Sequence, residues 1–400
     1  MNTDTIGSAP HAAADAGNAE WLDGLDTPCY VFDPQCVLAG YAALRAALGT
    51  RLVVSLKANS HADLFLRCAH AFEDGIELAS QGELDTVVGR GKHVKYLNNP
   101  AMGDALMRAG IASRCHFILD GPDMVRRFIA LASGKETEDV MLRINAGALL
   151  GAHAPKSKSL RDHFGMTPAE ALGMANLLTQ AGRRVAGLHA FVGSGNFRAG
   201  PTKGGDADSA DLAWALAQLA EQIEALVRTP VTHLNLGGGF SEKGHDDATF
   251  ERYRARIAPL AKRYTLVHEA GRAIFANAGV FVTRVRAVKV WDDRVIAVCD
   301  GGMSHNFLLA KTEAVLKTWA APTLVPAGAA DAHRAPNARP ITFVGNTCNR
   351  ADVIGRLERH PRLPQPGDFV VFSQCGAYHH SYTVSGFLSH KPAQVYIRQA

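Results

Sequence analysis

The chain has 400 residues, 47% of them hydrophobic and 20% charged, with a formal net charge of +4, which suits a globular protein of one large and one smaller domain. Its basic residues are scattered and its apolar runs are short, so neither a nucleic-acid partner nor a membrane span is expected. Seven cysteines without paired spacing argue against a disulfide framework or a metal site, and they favour a cytoplasmic location.

A repeating pattern follows a polar N-terminal segment. Residues 1–24 hold few large apolar side chains and are expected to form a disordered tail, while residues 25–35 contain a β-rich run. From residue 51 onward, short apolar runs alternate with amphipathic ones. The predicted strands are residues 52–57, 75–80, 93–98, 115–119, 140–145, 185–193, 231–236 and 266–269. Helical patterns separate them, which predicts a parallel sheet with crossover helices.

The number of strands decides between two parallel architectures. Eight βα units within about 250 residues are typical of a closed (β/α)8 TIM barrel, here residues 36–275, and an open doubly wound sheet is the alternative. Within residues 276–400 the period changes to two, which predicts a C-terminal antiparallel β-domain that also includes the strand in residues 25–35. Residues 320–340, rich in alanine, proline and glycine, are predicted to form a loop.

Lys57 ends the first of the predicted barrel strands. The barrel interpretation places it on the C-terminal rim, where such folds collect their chemistry. A lysine desolvated there can lose its proton and attack a carbonyl, as Schiff-base lysines do. The simpler interpretation is that Lys57 caps its strand and extends into water.

Phosphate-binding elements follow later strands on the same rim. The glycine run 237–239 comes directly after an apolar strand, and glycines let backbone N–H groups approach an anion closely, although such a run can also be a plain turn. Ser194 follows the sixth strand and residues 269–272 follow the eighth. A phosphate, a reactive lysine and an acid together imply pyridoxal 5′-phosphate, with Glu269 facing the pyridine nitrogen. A surface salt bridge to Arg272 is the alternative role for Glu269.

Eight short motifs support a resemblance to a known family. They are VSLKAN at 54–59, ASQGEL at 79–84, LRIN at 142–145, GLHAFVGSG at 187–195, LNLGGGF at 234–240, HEAGR at 268–272, NTCNRAD at 346–352 and CGAY at 375–378. In their order and spacing the chain resembles the fold-type III pyridoxal-phosphate-dependent decarboxylases, which include diaminopimelate and ornithine decarboxylases. The resemblance implies an alanine racemase-like barrel and a lyase activity.

The resemblance also implies roles for individual residues. Lys57 would be the Schiff-base lysine, Glu269 would face the pyridine nitrogen, and Arg143 would lie near the cofactor hydroxyl. The residues that would hold the phosphate are Ser194, Gly237, Gly238, Gly239, Gly271, Arg272 and Tyr378. Cys348 would protonate the carbanion from the second subunit, which implies a homodimer with shared active sites.

The chain departs from the family at several positions. The ring-stacking histidine of the family falls at Phe191, which can cover the ring but offers no proton, and His189 lies two residues earlier on the same face of the strand. For residues 300–312, the resemblance to diaminopimelate decarboxylases would imply an arginine and a tyrosine that bind the distal amino-acid head of the substrate. The resemblance to ornithine decarboxylases would imply an acid that binds the distal amine. Leu308 and Thr312 stand there instead.

These departures bear on the substrate. Asn349 stands where the family usually has a carboxyl residue after the cysteine, so the negative charge that would bind a distal ammonium is missing. The other side chains that could bind a substrate, mostly by supplying positive charge, are His305, Lys311, Arg350, His379 and His380. Each of them alone could equally be a solvated surface group.

The resulting expectation is decarboxylation of the α-carboxylate, at an L or D centre, of a carboxylate-rich substrate such as citryl-diaminopropionate in siderophore biosynthesis. Diaminopimelate decarboxylase, or another basic amino-acid decarboxylase, is the alternative. An amino-acid racemase fits less well. The resemblance to racemases of this fold would imply an arginine at the pyridine nitrogen, where this chain has Glu269, and a catalytic tyrosine from the partner subunit, where it has Cys348. A non-catalytic pyridoxal-phosphate-binding barrel would lack the β-rich region from residue 279.

Overall fold

The computed structural model describes residues 19–153, 163–200, 206–291, 294–316, 320–327 and 334–399. Contacts divide the described chain into a barrel unit, residues 39–273, and a sheet unit, residues 19–38 and 274–399. Most of the predicted tail lies outside the described residues. No helix in the described ranges is long and apolar enough to cross a membrane.

The barrel unit closes through eight parallel strands in the order of the sequence. The first strand of the chain, β1 (Cys29–Phe32), lies in the sheet unit. The barrel strands are β2 (Arg51–Ser55), β3 (Ile76–Leu78), β4 (Lys95–Leu97), β5 (His116–Leu119), β6 (Val140–Arg143), β7 (Val185–His189), β8 (His233–Asn235) and β9 (Thr265–Ala270). Strand β9 pairs with β2 and closes the ring. The barrel prediction is therefore confirmed, and the open-sheet alternative is wrong.

Helices precede, connect and follow the barrel strands. They are α1 (Pro34–Leu48), α2 (Ala62–Cys68), α3 (Gln81–Val87), α4 (Asp104–Ala112), α5 (Pro122–Ala132), α6 (Ala146–Leu150), α7 (Pro168–Gln180), α8 (Ser209–Val227), α9 (Asp247–Ala261) and α10 (Arg272–Phe275). Local sequence sets several of their starts. Thr167 and Asp208 each form a capping box before α7 and α8, which satisfies backbone N–H groups that a helix leaves without partners.

A layer of large side chains fills the barrel interior. Val53, Tyr96, Ile118, Met141 and Val267 form one cluster, and each is at most 4% exposed. Because side chains alternate along a strand, the residue two positions after each of them points to the same interior, one layer nearer the C-terminal rim. This alternation places a layer of polar residues between the apolar layer and the C-terminal rim.

The sheet unit contains eight strands and one longer helix. They are β1 (Cys29–Phe32), β10 (Gly279–Trp291), β11 (Arg294–Cys299), α11 (Phe307–Leu316), β12 (Thr323–Val325), β13 (Arg334–Val344), β14 (Val353–Arg362), β15 (Phe369–Phe372) and β16 (Gln394–Ile397). The strand order is β12-β15-β10-β11-β13-β14, and β1 pairs with β10 and β16. The predicted N-terminal strand is thus confirmed as part of this sheet.

Three sequence expectations for this unit need correction. The sheet is mixed, because β11 pairs in parallel with β13 and β1 with β16, and the intervening α11 gives the chain a crossover. The predicted loop at residues 320–340 contains β12 and the start of β13; register shifts around Arg339 accommodate Pro340. Leu22 is fully buried with Cys29 and Val280, so ordered structure begins inside the predicted tail.

Candidate active site

A layer of polar side chains lies on the barrel interior just below the C-terminal rim. Arg143 follows Met141 by two residues and Glu269 follows Val267 by two, so both point inward. The polar residues of this kind are Glu77, Asn98, Asp120, Arg143, His189, Asn235 and Glu269, each at most 8% exposed. Buried polar groups are retained only where they have partners or a role, so this layer is the candidate site.

Lys57 lies in a 3-10 turn, Leu56–Ala58, directly after β2. Its Nζ donates a hydrogen bond of 2.6 Å to Oε2 of Glu77. The Lys57 side chain is 43% exposed and that of Glu77 is 1% exposed. The lysine is therefore less desolvated than the sequence suggested, because the rim opens around it, and a buried carboxylate holds its amine instead.

Glu77 is a site residue that sequence reasoning missed. It is the middle residue of the three-residue buried strand β3. Its Oε1 is buried without a hydrogen-bond partner in the described part of the chain. The signal in the sequence was a carboxylate flanked by apolar residues in a strand too short to show a period.

Gly271 fixes the turn that carries Lys57. A Cβ at this position would lie 2.7 Å from Cβ of Ala58 and 3.1 Å from the carbonyl oxygen of Ser55. The backbone after β9 thus packs directly on the Lys57 turn, and any side chain would displace it. Arg272, predicted as a phosphate ligand, comes next and begins α10.

Glu269 lies at the centre of a buried hydrogen-bonded group. Asn235 Nδ2 donates to its Oε1 at 2.8 Å, and Nε2 of His189 lies 3.5 Å from the same oxygen. Burial acts to raise the pKa of Glu269, but the His189 and Lys57 charges and the Asn235 hydrogen bond outweigh it and hold the pKa below its usual value. Glu269 is therefore ionised at neutral pH.

His189 stands next to this carboxylate with unused hydrogen-bonding capacity. Strand register places it between Arg143 on β6 and Asn235 on β8. Its side chain is 1% exposed; Nε2 faces Oε1 of Glu269 at 3.5 Å, and Nδ1 has no hydrogen-bond partner among the described residues. Buried imidazole nitrogens normally have partners, so this histidine is available to a group bound in the barrel mouth.

The glycine run after β8 brings bare backbone to the rim. A Cβ on Gly238 would lie 2.4 Å from the carbonyl oxygen of Glu269, and one on Gly237 would lie 2.7 Å from that of Ala190. A Cβ on Gly239 would meet the carbonyl oxygen of Gly193 at 2.9 Å. The run therefore packs against both β9 and the loop after β7.

The loop after β7 carries two further candidates. Phe191 is half-buried, and its ring lies beside Gly237, whose added Cβ would be 3.1 Å from Cδ2. Ser194 is exposed at the tip of the loop. The Gly237 N–H is already used, because it donates to Asn235 Oδ1 at 3.0 Å. An anion at this rim would then take its amide contacts from Gly238 and Gly239.

Arg143 is held in place by the residues that directly follow β4 and β5. Its Nη1 donates to Oδ1 of Asp120 at 2.9 Å and of Asn98 at 3.4 Å, and its guanidinium lies 4.3 Å from the ring centre of Phe164. A buried guanidinium so paired is a fixed positive group. Asp120 was missed in the sequence because one aspartate after a strand resembles an ordinary turn residue.

His268 belongs to a recognised motif but has a structural role. Alternation points it away from the interior, toward α9. Its ring bridges the Thr50 hydroxyl and the Tyr253 hydroxyl, each at 2.8 Å. Burial lowers the pKa of His268 to about 3. It is therefore a neutral link between strand and helix.

The sheet unit holds Cys348 and its neighbours in the turn between β13 and β14. Cys348 and Arg350 are exposed. Asn349 is also exposed, and its Oδ1 accepts a hydrogen bond of 2.9 Å from the Ala351 N–H. Tyr378 is half-buried with a left-handed backbone, φ +68°.

The predicted substrate-binding cations differ in their surroundings. His305 is 5% exposed, and burial followed by the neighbouring His390 lowers its pKa. The expectation that it supplies positive charge is therefore not met at neutral pH. His379 Nδ1 pairs with Asn306 Oδ1 at 2.8 Å. Lys311 Nζ lies 5.4 Å from the ring centre of Phe307.

His380 and Thr312 are the remaining residues that the sequence placed near the substrate. His380 packs edge-on against Tyr30, with ring centres 5.3 Å apart. The side chain of Thr312 lies outside the described part. Across the described residues, no group of three or more His, Cys, Asp or Glu side chains could hold a metal ion.

The barrel residues fit pyridoxal phosphate. Glu269 is an ionised carboxylate with Oε1 bound by Asn235, so Oε2 is the oxygen left to face a ring nitrogen. Lys57 offers a primary amine at the same rim. The glycine run leaves no space for side chains and presents its backbone, which suits a phosphate.

Comparisons with known proteins agree with this fit. The family model described as pyridoxal-dependent decarboxylase, C-terminal sheet domain, matches residues 29–376. Diaminopimelate decarboxylase of Deinococcus radiodurans is 28% identical, over 96% of this chain and 92% of the relative. L-glutamyl-[BtrI acyl-carrier protein] decarboxylase of Niallia circulans is 25% identical, over 91% and 87%.

A solved structure shows the same fold. Diaminopimelate decarboxylase from Helicobacter pylori, complexed with L-lysine, has a TM-score of 0.77 at 19% identity and covers 95% of this chain and 93% of that chain. The family match spans most of the chain, and the barrel mouth fits the cofactor. The chain therefore belongs to the pyridoxal-dependent decarboxylases and is a pyridoxal-phosphate-dependent enzyme of that family.

Proposed function

We propose that this decarboxylase removes the α-carboxylate from a small amino-acid substrate whose far end carries carboxylate groups. The reaction type is that of the family, so the proposal concerns the substrate and the residues that act. The observation that carries it is the state of Asp300 and Asp352 in the sheet unit, whose side-chain oxygens already accept hydrogen bonds from internal donors. An ammonium group at the far end of a substrate would find little acceptor capacity on these two carboxylates.

The barrel residues have distinct roles in this proposal. Pyridoxal phosphate, when bound, supplies the electron sink that makes loss of carbon dioxide from Cα possible. Lys57 offers the amine that holds the cofactor aldehyde, and Oε2 of Glu77 accepts a hydrogen bond from Nζ at 2.6 Å. Glu269 holds a negative charge for the pyridine nitrogen. Gly238, Gly239 and the loop after β7 bind the phosphate.

The proton for Cα comes, in this proposal, from Cys348 of a second copy of the chain. Its thiol is exposed in the turn between β13 and β14, as a group that acts across a subunit boundary has to be. The family resemblance supports a homodimer with shared active sites and a role for Tyr378 at the phosphate. A cytoplasmic location is consistent with seven free cysteines.

Two aspartates near the candidate substrate segments are saturated. Asp300 accepts from the Thr283 hydroxyl at 2.7 Å and from Arg286 at 2.8 Å. Asp352 accepts from the Met303 N–H at 2.7 Å and from the Thr347 hydroxyl at 2.6 Å. Carboxylates so paired organise the turns and have little capacity left for a substrate ammonium.

Two cationic side chains belong to the same sequence segments, 300–312 and 346–352. Lys311 lies on α11 and is half-buried, and Arg350 is exposed beside Cys348. A substrate carboxylate would gain charge-assisted hydrogen bonds from them. Citryl-diaminopropionate is a substrate with this chemistry. The relative from Niallia circulans, by name a decarboxylase of L-glutamyl-[BtrI acyl-carrier protein], supports a substrate other than a free basic amino acid.

Diaminopimelate is the second candidate substrate. Several curated relatives, at 24% to 28% identity, are diaminopimelate decarboxylases. Diaminopimelate carries both an ammonium and a carboxylate at its far end, so Lys311 and Arg350 could serve it as well.

A substrate panel tests the proposal. The purified enzyme with pyridoxal phosphate is supplied with citryl-diaminopropionate, meso-diaminopimelate, L-lysine or L-ornithine, and carbon dioxide is measured. Preferred turnover of the citryl compound is expected, with a raised KM in Lys311→Met and no change in the exposed control Lys289→Met. Preferred turnover of meso-diaminopimelate would replace the first candidate by the second.

A further inference from the structure

Asn235 occupies a position that no role assigned so far explains. It ends β8, is 0% exposed, and makes two hydrogen bonds in opposite senses. Its Nδ2 donates to Oε1 of Glu269 at 2.8 Å, and its Oδ1 accepts the N–H of Gly237 at 3.0 Å. One side chain thus joins the acid to the first residue of the glycine run.

The chemistry of the two partners requires an amide. An ionised carboxylate only accepts hydrogen bonds and a backbone N–H only donates them. The orientation of the Asn235 amide is therefore determined by its partners. Among side chains of this size, an amide is the one that offers a donor and an acceptor at this spacing without carrying a charge.

The bond to Asn235 also selects between the two oxygens of Glu269. Oε1 receives the Asn235 donor and faces Nε2 of His189 at 3.5 Å. Oε2 is then the oxygen that remains for a ring nitrogen. The Glu269 N–H donates in turn to the carbonyl oxygen of Gly237 at 2.8 Å, so β9 and the glycine run are tied together twice.

We propose that Asn235 is a positioning residue, which fixes Glu269 and the glycine run as one unit so that the pyridine nitrogen and the phosphate of one cofactor are bound in register. This inference rests on the proposed roles of Glu269 and of Gly238 and Gly239, and it deepens them. It is independent of which substrate the enzyme takes.

Replacing the amide by an isosteric acid gives a distinctive pH dependence. In Asn235→Asp the introduced carboxylate meets Glu269 Oε1 across about 3 Å, where two carboxylates cannot both be ionised. While the pair shares one proton, the shared proton replaces the lost donor and the geometry persists. As the pH rises and the proton leaves, repulsion drives the two groups apart.

Other titratable groups around Glu269 are shared by all variants. They are His189 on β7, Lys57 after β2, His268 on β9 and Tyr96 on β4. Dividing each variant's cofactor affinity by that of the wild type at the same pH removes their contributions and that of the cofactor. What remains is the titration of the introduced pair.

The experiment measures pyridoxal phosphate binding to apoprotein between pH 5.5 and 9 for Asn235→Asp and Asn235→Ala. The relative affinity of the acid variant is expected near one at pH 5.5, falling about tenfold or more by pH 9. The alanine variant is expected to lose a similar factor at every pH. Asn176→Asp, the same change on the exposed face of α7, serves as the control and is expected to follow the wild type.

Melting of the apoproteins over the same pH range gives a second readout without cofactor. Only the folded Asn235→Asp chain holds the shared proton, so its stability relative to the wild type is expected to fall as pH rises. If Asn235→Asp lost the same stability at every pH, the inference would be overturned, because a packing defect alone would produce that result. A stability of Asn235→Asp that follows the wild type, as expected for Asn176→Asp, would also overturn it.

The two experiments distinguish failure of the proposed function from failure of the inference about Asn235. If the wild type bound no pyridoxal phosphate, the roles of Lys57 and Glu269 would fall, while the melting data would still test the link between Asn235 and Glu269. If the wild type bound the cofactor and the acid variant showed no pH-dependent loss, only the inference about Asn235 would fall.

Discussion

Removal of the Lys57 amine should destabilise the apoprotein through Glu77. The Lys57 side chain is 43% exposed and that of Glu77 is 1% exposed, with 2.6 Å between Nζ and Oε2. Exposed ion pairs contribute about 0–1 kcal/mol, and breaking a buried pair costs about 3–5 kcal/mol. Lys57 is partly exposed and Glu77 is buried, so the cost of breaking this pair should lie between those two ranges. Lys57→Ala is therefore expected to lower the unfolding free energy by about 2 kcal/mol.

The source of that cost is the charge left on Glu77. The double variant Lys57→Ala/Glu77→Gln removes the charge along with its partner and should recover most of the loss. The assay is denaturant unfolding of the apoproteins at pH 8.

A surface pair provides the matched control. The side chains of Arg114 and Glu136 are 60% and 83% exposed, with 2.6 Å between Nη2 and Oε2, so Arg114→Ala should leave the unfolding free energy close to that of the wild type. Equal stability of Lys57→Ala and the double variant at pH 8 would refute the reasoning, since it would mean that Glu77 bears no uncompensated charge.

Three further predictions concern other residues. Gly238→Ala places a Cβ 2.4 Å from the Glu269 carbonyl oxygen and should weaken pyridoxal phosphate binding about tenfold or more, whereas Gly173→Ala, with nothing within 4 Å, should not. Cys348→Ala should keep the bound-cofactor absorbance and slow carbon dioxide release about 100-fold; unchanged turnover would remove it from the mechanism. The pKa of His268 is lowered to about 3 by burial, so its stabilising effect is present above pH 6.5 and lost as pH falls toward 3. His268→Gln should flatten that part of the pH–stability curve, and an unchanged slope would contradict this role.

Much of the barrel could be predicted because its strands and helices leave local patterns. Each buried parallel strand is a short apolar run, and the amphipathic helices between them have a different period. The position of Lys57 directly after β2 follows from the same pattern. The parallel pairing of β11 with β13 could not be predicted, because partners distant in sequence leave no local period.

The polar layer of the site was harder to predict. Glu77 and Asn235 lie in strands of three residues, too short for alternation to show which face they occupy. The burial of His305 depends on the packing of the sheet unit, and that burial removes the charge that its residue type suggested. Sequence motifs located Glu269, but its hydrogen bonds required the structure.

We infer that Lys57 at the barrel rim holds the cofactor. Borohydride reduction of the purified holoenzyme, followed by digestion and mass spectrometry, tests this assignment, because reduction makes the link between pyridoxal phosphate and its lysine permanent. We expect the added mass on the peptide that contains Lys57, and its absence from Lys57→Ala. Added mass on another lysine, or none in the wild type, would contradict the assignment.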